Sequence, residues 1–340
     1  MLSVLLCFRW LQSIDCQPGI NSQIIDYLCQ KKAERPEQYT HCAFMLDAMS
    51  IRQQISYNAH TGRMCGFVDL GNNEDTDDEA KEVLVFMLVG LQGHWKVPVA
   101  YFFTNTLTAL TQKELVVHVL EELESKGFRV IALTMDAHAS NVSMCQLLGC
   151  CFEVNGSFQS WFVLPNSSHK VCVIFDPCHM IKLFRNLLAS YNTVISDSGR
   201  ISWSYIKDLH SLQEDSGLRA ANKLSSKHIC FSNQKMKVSL AVQTFSSSVA
   251  KALRTVRDIG YMQFKDVDAT AELLEMIDHL FDIMNSRNPH AKGYKAPLRL
   301  QNVRQVSEFL VKCRDKLLQL KCLDKKFLYE SKRHAAKYGC

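Results

Sequence analysis

The chain lacks most of the short signatures that identify an enzyme at sight. In 340 residues there is no Gly-x-x-x-x-Gly-Lys-Ser/Thr loop, which excludes phosphate binding by a P-loop. Fourteen cysteines include no Cys-x-x-Cys, and Cys150 and Cys151 are adjacent, a pattern that suits neither a disulfide framework nor paired zinc ligands. Cys172, Cys178 and His179 have no second ligand pair near them in sequence, so they read as reduced thiols and an ordinary histidine. Glycine (14) and proline (7) are scarce, and 47% of the residues are hydrophobic against 21% charged, which excludes a low-complexity or disordered chain. No run approaches the ~20 apolar residues of a membrane span. The opening run Met1–Phe8 is short, with Arg9 behind it rather than ahead, and makes a poor secretory leader. A folded protein in a reducing, intracellular setting is expected.

What the chain does have is an uneven charge. The net formal charge is only +5, but residues 1–150 hold 11 basic and 17 acidic side chains, leaving 28 and 17 for residues 151–340. A balance of −6 followed by +11 points to a polyanion partner for the second part, nucleic acid or nucleotide, although solvated helix faces also produce such an excess.

The hydrophobic pattern divides in the same way. His41–Leu46, Ile51–Tyr57 and Arg63–Leu70 read as three consecutive strands, the last two joined by a turn at Asn58–Gly62. Val83–Leu91 is strand or helix by length alone, and Val97–Phe103 is a further apolar segment. Leu115, Val116, Val119, Leu120 and Leu123 share one helix face within Thr111–Lys126, with Gly127 in position to end the helix. Phe128–Met135 is then a continuous apolar strand, as in a crossover returning to a buried sheet position. Beyond a strand at Val171–Phe175, helices are expected at Cys178–Ser190, Ser202–Leu212, Gln234–Ile259, Ala269–Ser286 and Asn302–Leu320, with a loop at Tyr191–Arg200.

One phrase occurs twice: an apolar strand followed at once by aspartate, in Phe44-Met45-Leu46-Asp47 and Leu133-Thr134-Met135-Asp136. A carboxylate at the end of a buried strand is costly to desolvate and needs a cation, a metal or amide donors. If the two strands are sheet neighbours, their carboxylates converge, and hard oxygens so placed suit Mg²⁺ and phosphoryl transfer. Asp after a strand also commonly caps the following turn or helix, and spacing alone does not separate the two readings. Glu272, Glu275 and Asp278 lie at i, i+3 and i+6 of one helical stretch and are candidates for a third acid.

These residues carry a resemblance. Met45-Leu46-Asp47-Ala48-Met49-Ser50-Ile51-Arg52, Gly93-His94-Trp95-Lys96-Val97-Pro98, Leu133-Thr134-Met135-Asp136 with Asn141, Phe175-Asp176-Pro177-Cys178-His179-Met180-Ile181-Lys182 with Arg185-Asn186, Lys235-Met236-Lys237-Val238 and Leu280-Phe281-Asp282-Ile283-Met284-Asn285-Ser286-Arg287 occur in one order along residues ~18 to 290. In that order they resemble P-element-type DNA transposases, the THAP-domain-containing transposase family. The resemblance implies an α/β fold: an RNase H-like mixed sheet interrupted by a mainly helical, GTP-binding insertion. It implies a D-D-E carboxylate set at Asp47, Asp136 and Glu272, with Glu275 the alternative third acid, holding Mg²⁺ for phosphodiester hydrolysis and strand transfer. It further implies GTP as a nonhydrolysed cofactor, with Lys182 the first phosphate ligand, Lys235 and Lys237 next, and Asp176 and Asp268 as further nucleotide contacts.

The expected organisation is a helical lead-in over 1–40, the first part of the RNase H-like domain over 41–160, the insertion over 161–265, the returning helical part over 266–320 and a basic tail over 321–340. DNA, met mainly through its phosphates, is the expected macromolecular partner, in the nucleus and with self-association in view. The chain has no zinc finger of the THAP type and no leucine heptad array. A truncated or domesticated relative that binds DNA and GTP without transposition is therefore the alternative, and a nuclease without strand joining a third reading.

Overall fold

The computed structural model describes residues 17–58, 62–71, 76–154, 156–165, 167–217 and 219–330. The leader reading of Met1–Phe8 and the last ten residues of the expected basic tail lie outside these. The chain divides into two compact units, Met1–Phe175 and Asp176–Cys340.

The first unit is built on a seven-stranded sheet. Its strands are β1 (Gly19–Ile20), β2 (His41–Ser50), β5 (Glu82–Gly90), β6 (Lys96–Thr104), β7 (Arg129–Met135), β8 (Trp161–Val163) and β9 (Lys170–Phe175), while β3 (Ser56–Asn58) and β4 (Arg63–Cys65) form a separate hairpin. The spatial order is β1-β6-β5-β2-β7-β9-β8, with β2-β7 and β7-β9 parallel and all other neighbours antiparallel. Alternation explains the central strand: Cys42, Phe44 and Leu46 of β2 are buried in the core, whereas Met45 and Asp47 point to the other face.

The helix Ala109–Ser125 covers the core side with Leu115, Val116, Val119, Leu120 and Leu123. Thr108 caps its start by accepting from the Thr111 N–H at 3.1 Å, which sets the beginning two residues earlier than the sequence pattern suggests. At its end Gly127 takes φ +76°, and the Gly127 and Phe128 N–H groups bond back to Glu124 and Leu123. That closure turns the chain directly into β7, as the apolar pattern anticipates.

Two expectations fail in this unit. Ile51–Tyr57 is not a strand of the main sheet: residues 52–57 are exposed, so their alternation has no core face to serve. Only the end of this stretch pairs, in the small hairpin β3-β4, and Arg63–Leu70 likewise contributes only a short strand. The antiparallel meander is instead β2-β5-β6, and Val83–Leu91 is a strand because Val83, Leu84, Phe86 and Leu88 are buried between its neighbours.

The second unit is mainly helical around one core that runs from Ile181 to Leu328. Its main helices are Pro177–Tyr191, Ser204–Ser216, Val238–Thr244, Ser247–Ile259, Asp268–Met284 and Val303–Leu318. The stretch expected as one helix, Gln234–Ile259, is broken because Ser246 turns out of the helix and caps the next one, with its hydroxyl facing the Val249 N–H. The stretch expected as a loop, Tyr191–Arg200, holds half of a hairpin, Thr193–Ser196 against Gly199–Ser202, that buries Val194 and Ile201. Asn192 enters that hairpin at φ 59°. The ranges 161–265 and 266–320 both contribute to this core, since Ala269, Ala271, Leu273 and Leu274 share it with Leu187, Leu209 and Leu253. The described cysteines carry no disulfide. No helix among the described residues is long and apolar enough to cross a membrane.

Candidate catalytic and nucleotide-binding sites

Asp47 lies within β2, and Asp136 follows the last residue of β7. Phe44 pairs with Leu133 and Met45 with Thr134 across these parallel strands, and the pairing ends there, two residues before each aspartate. Leu133 and Met135 are buried with Phe44 and Leu46 in one core; alternation directs Asp47 to the opposite face of β2, and Asp136 follows Met135 directly out of the neighbouring strand. Asp47 is exposed and Asp136 half-buried. The sheet therefore makes neighbours of the two strands that lead to these aspartates.

Asp136 is held firmly. Its Oδ1 accepts the His138 N–H at 3.1 Å and Asn141 Nδ2 at 2.6 Å. Carboxylates are hard donors of the kind Mg²⁺ takes, commonly one or two from the protein with water and substrate phosphate completing the shell. Among the described residues no three His, Cys, Asp or Glu side chains are grouped so as to hold a metal on their own.

Glu272 lies on the helix Asp268–Met284 and forms a hydrogen-bonded ion pair with Lys316. That partner, more than any other group, holds the Glu272 carboxyl below its usual range. Glu275 is paired with Arg254 at 2.9 Å, and Asp278 accepts from the Ser247 N–H and hydroxyl. A cavity of about 160 Å³ opens beside Glu272 and Lys316, with Asp197, Ser198 and Met276 in its wall.

The candidate nucleotide ligands are divided in their structural roles. Asp176 caps the helix Pro177–Tyr191, accepting from the Cys178 and His179 N–H groups at 3.0 and 3.1 Å. Asp268 is exposed and bonded to Arg257. Lys182 is half-buried on the helix that Asp176 caps, while Lys235 and Lys237 are exposed. Arg185, fully buried, ties these segments together: Nη2 donates to the Lys235 carbonyl at 2.7 Å, Nε and Nη2 donate to Asn186 Oδ1, and the guanidinium lies 4.2 Å from the Phe231 ring centre. Burial lowers the Arg185 pKa from its ordinary value. A cavity of about 410 Å³ is lined by Asn186, Ser190, Phe231, Ser232 and Lys235. Of the five candidates, Lys235 thus lines a cavity and Asp176 and Asp268 meet internal partners. Arg185 appears in the sequence only within a motif; its burial, the feature that marks it, is not readable there.

A third cavity in this unit, about 240 Å³, has Lys223, Gln243, Ser247, Asp278, Asp282 and Lys295 in its wall. Lys295 Nζ lies 3.5 Å from Asp282. Burial pushes the Asp282 carboxyl above its ordinary value despite that neighbour. The acidic pair Asp278 and Asp282 was not singled out by sequence spacing as a cavity feature, because i,i+4 acids on a helix are ordinarily solvated.

Comparison with known proteins gives concordant results. The TNP-like RNase H N-terminal domain matches residues 16–149, and the TNP-like GTP-binding insertion domain matches residues 178–297. Human DNA transposase THAP9 is 31% identical over 309 residues, covering 90% of this chain and 34% of that protein. The transposable element P transposase of Drosophila melanogaster is 26% identical over 283 residues, covering 82% of this chain and 34% of that protein. The chain thus spans about a third of the length of these relatives. In structure it resembles the Drosophila P element transposase strand transfer complex with a TM-score of 0.79 at 23% identity, over 98% of this chain and 69% of that one, which establishes a common fold. With an RNase H-like mixed sheet, a GTP-binding insertion domain and these relatives, the chain belongs to the P-element-type transposase family.

Proposed function

We propose that this chain is the core of a P-element-like DNA transposase, and that Asp47 and Asp136 form its metal-holding pair. The observation that supports this most directly is the parallel pairing of β2 with β7, which runs to Met45 and Thr134, two residues before Asp47 and Asp136. Mg²⁺ held there would supply charge stabilisation for a phosphodiester oxygen and a nucleophile at neutral pH. The protein's own contribution is to fix one oxygen donor within a strand and to hold the other, just past a strand's end, by the His138 N–H and Asn141, so that little reorganisation accompanies reaction. Glu272 as the third carboxylate rests on the family resemblance; its carboxylate is committed to Lys316, and the assignment requires that ion pair to open. GTP, unhydrolysed, is assigned to the insertion domain, with Lys182, Lys235 and Lys237 as phosphate ligands and Asp176 and Asp268 in supporting contacts. DNA is the substrate, reached through phosphate contacts and in the nucleus, and the proposed organisation keeps the limits 41–160, 161–265 and 266–320 except that residues 161–175 go with the sheet in which β8 and β9 lie.

The test is incubation of the full chain with DNA duplexes carrying P-element-type ends, Mg²⁺ and GTP, beside Asp47→Asn, Asp136→Asn and Glu272→Gln. Loss of nicking in the two aspartate variants is expected; cleavage equal to the unmodified chain in either refutes the pair. A second reading, binding of DNA and GTP without transposition, draws on the match of residues 178–297 to a GTP-binding insertion domain. It predicts a GTP-induced rise in melting temperature and salt-sensitive DNA binding with no cut strand.

A further inference from the structure

Asp136 receives more than the turn contact that an aspartate after a strand ordinarily makes. The His138 N–H supplies that contact to Oδ1, and Asn141 Nδ2 adds a second donor to the same oxygen and also reaches the Asp136 carbonyl at 3.2 Å. Asn141 is 8% exposed, and its own Oδ1 accepts from Gln112 Nε2 at 2.5 Å; Gln112 is 4% exposed. A line of buried amides therefore runs from the helix Ala109–Ser125, through the helix Ala139–Leu147, to the end of β7. Its polarity is forced. An ionised carboxylate only accepts, so Asn141 must turn its amide NH₂ toward Asp136, which leaves its oxygen for a donor, and Gln112 supplies one. Two buried amides are costly unless each is satisfied, and here each satisfies the other only in the orientation that serves Asp136. With Oδ1 occupied, Asp136 Oδ2 takes no hydrogen bond from the described residues.

We infer that Gln112 and Asn141 are positioning residues, which lock the rotation of the Asp136 carboxylate so that Oδ2 is the oxygen presented to a divalent ion. The inference rests on the proposed role of Asp47 and Asp136. Neither amide touches the ion or the substrate; Asn141 acts through Asp136, and Gln112 acts through Asn141. Outer partners of metal-binding carboxylates typically govern affinity by 10–100-fold.

The experiment measures Mn²⁺ binding to the full chain by electron paramagnetic resonance, with no DNA or GTP, beside melting temperatures without the ion. The variants are Asp136→Asn, Asn141→Leu, Gln112→Leu and the double variant Gln112→Leu/Asn141→Leu. Single removal of either amide strands its buried partner and lowers stability, whereas replacing both by apolar groups of similar shape is close to neutral. The double variant is therefore the informative one: a melting temperature near that of the unmodified chain with Mn²⁺ affinity weaker by about tenfold or more is expected. A folded double variant that binds Mn²⁺ within about twofold of the unmodified chain overturns the positioning role while leaving the metal pair intact. If Asp136→Asn binds Mn²⁺ as the unmodified chain does, the metal pair itself is wrong, and the positioning role falls with it.

Discussion

Removal of Phe86 should weaken the sheet that carries Asp47 without touching that aspartate. Phe86 lies at the centre of β5, fully buried, opposite Leu46 on one side and Ala100 on the other. Leu46 immediately precedes Asp47. The Phe86 ring stacks on Phe44 at 5.3 Å and 6°, and meets Phe102 edge-on at 5.5 Å and 80°. Truncating a buried phenylalanine to alanine costs about 3–5 kcal/mol, and two aromatic partners at about 0.5–1.5 kcal/mol each place Phe86→Ala in the upper half of that range. Phe86→Leu keeps most of the volume and loses chiefly the ring pairs, about 2 kcal/mol. At about 2–4 °C per kcal/mol for a unit of this size, the expected falls in melting temperature are about 10–15 °C and about 4–8 °C. Differential scanning calorimetry of the two variants checks both figures. Equal losses in the two variants, or a fall below about 3 °C for Phe86→Ala, would refute the packing argument.

Two further perturbations follow from the geometry. The Glu272 carboxyl, held below its ordinary value of 4.5 by Lys316, binds its proton less readily in the folded chain than in the unfolded one, so the stability it contributes is present above pH 4.5 and disappears as pH falls through the folded pKa. Lys316→Met should thus lower the melting temperature near neutral pH and converge on the unmodified chain in acid; because the pair is partly exposed, screening keeps the effect within about 1 kcal/mol. A difference that persists unchanged at pH 3 would contradict the linkage. Gly66 adopts φ +115°, and a Cβ there would stand 2.3 Å from the Gln54 carbonyl oxygen, whereas Gly62, at φ +68°, has open space. Gly66→Ala should therefore cost more than Gly62→Ala by about 1–3 kcal/mol in chemical denaturation, and equal costs would show that the Gln54 contact relaxes freely.

The sequence determined the elements whose apolar pattern has one solution. The helix over Ala109–Ser125, the strands on either side of the aspartates and the helical character of the second unit all follow from periodicities that bury one face. Asp47 and Asp136 stood out for the same reason, as charges placed directly after apolar runs that could not solvate them. Local pattern failed where local and tertiary preferences diverge. Ile51–Tyr57 alternates like a strand, yet it joins no face of the main sheet and residues 52–57 stay exposed; Tyr191–Arg200 looks polar, yet much of it pairs as a hairpin.

Tertiary structure alone decided the facts on which function turns. The parallel register of β2 and β7 makes neighbours of two strands far apart in sequence, each leading to an aspartate, because hydrogen-bond pairing, not sequence distance, sets which strands adjoin in a sheet. Burial turned Arg185 from one base among many into the tie between two segments. The Gln112, Asn141 and Asp136 line joins two helices and a strand, and nothing in the sequence marks a glutamine on a helix face as buried. Sequence specifies which groups must leave water; only the folded chain specifies which partners they meet when they do, since that depends on how the elements pack.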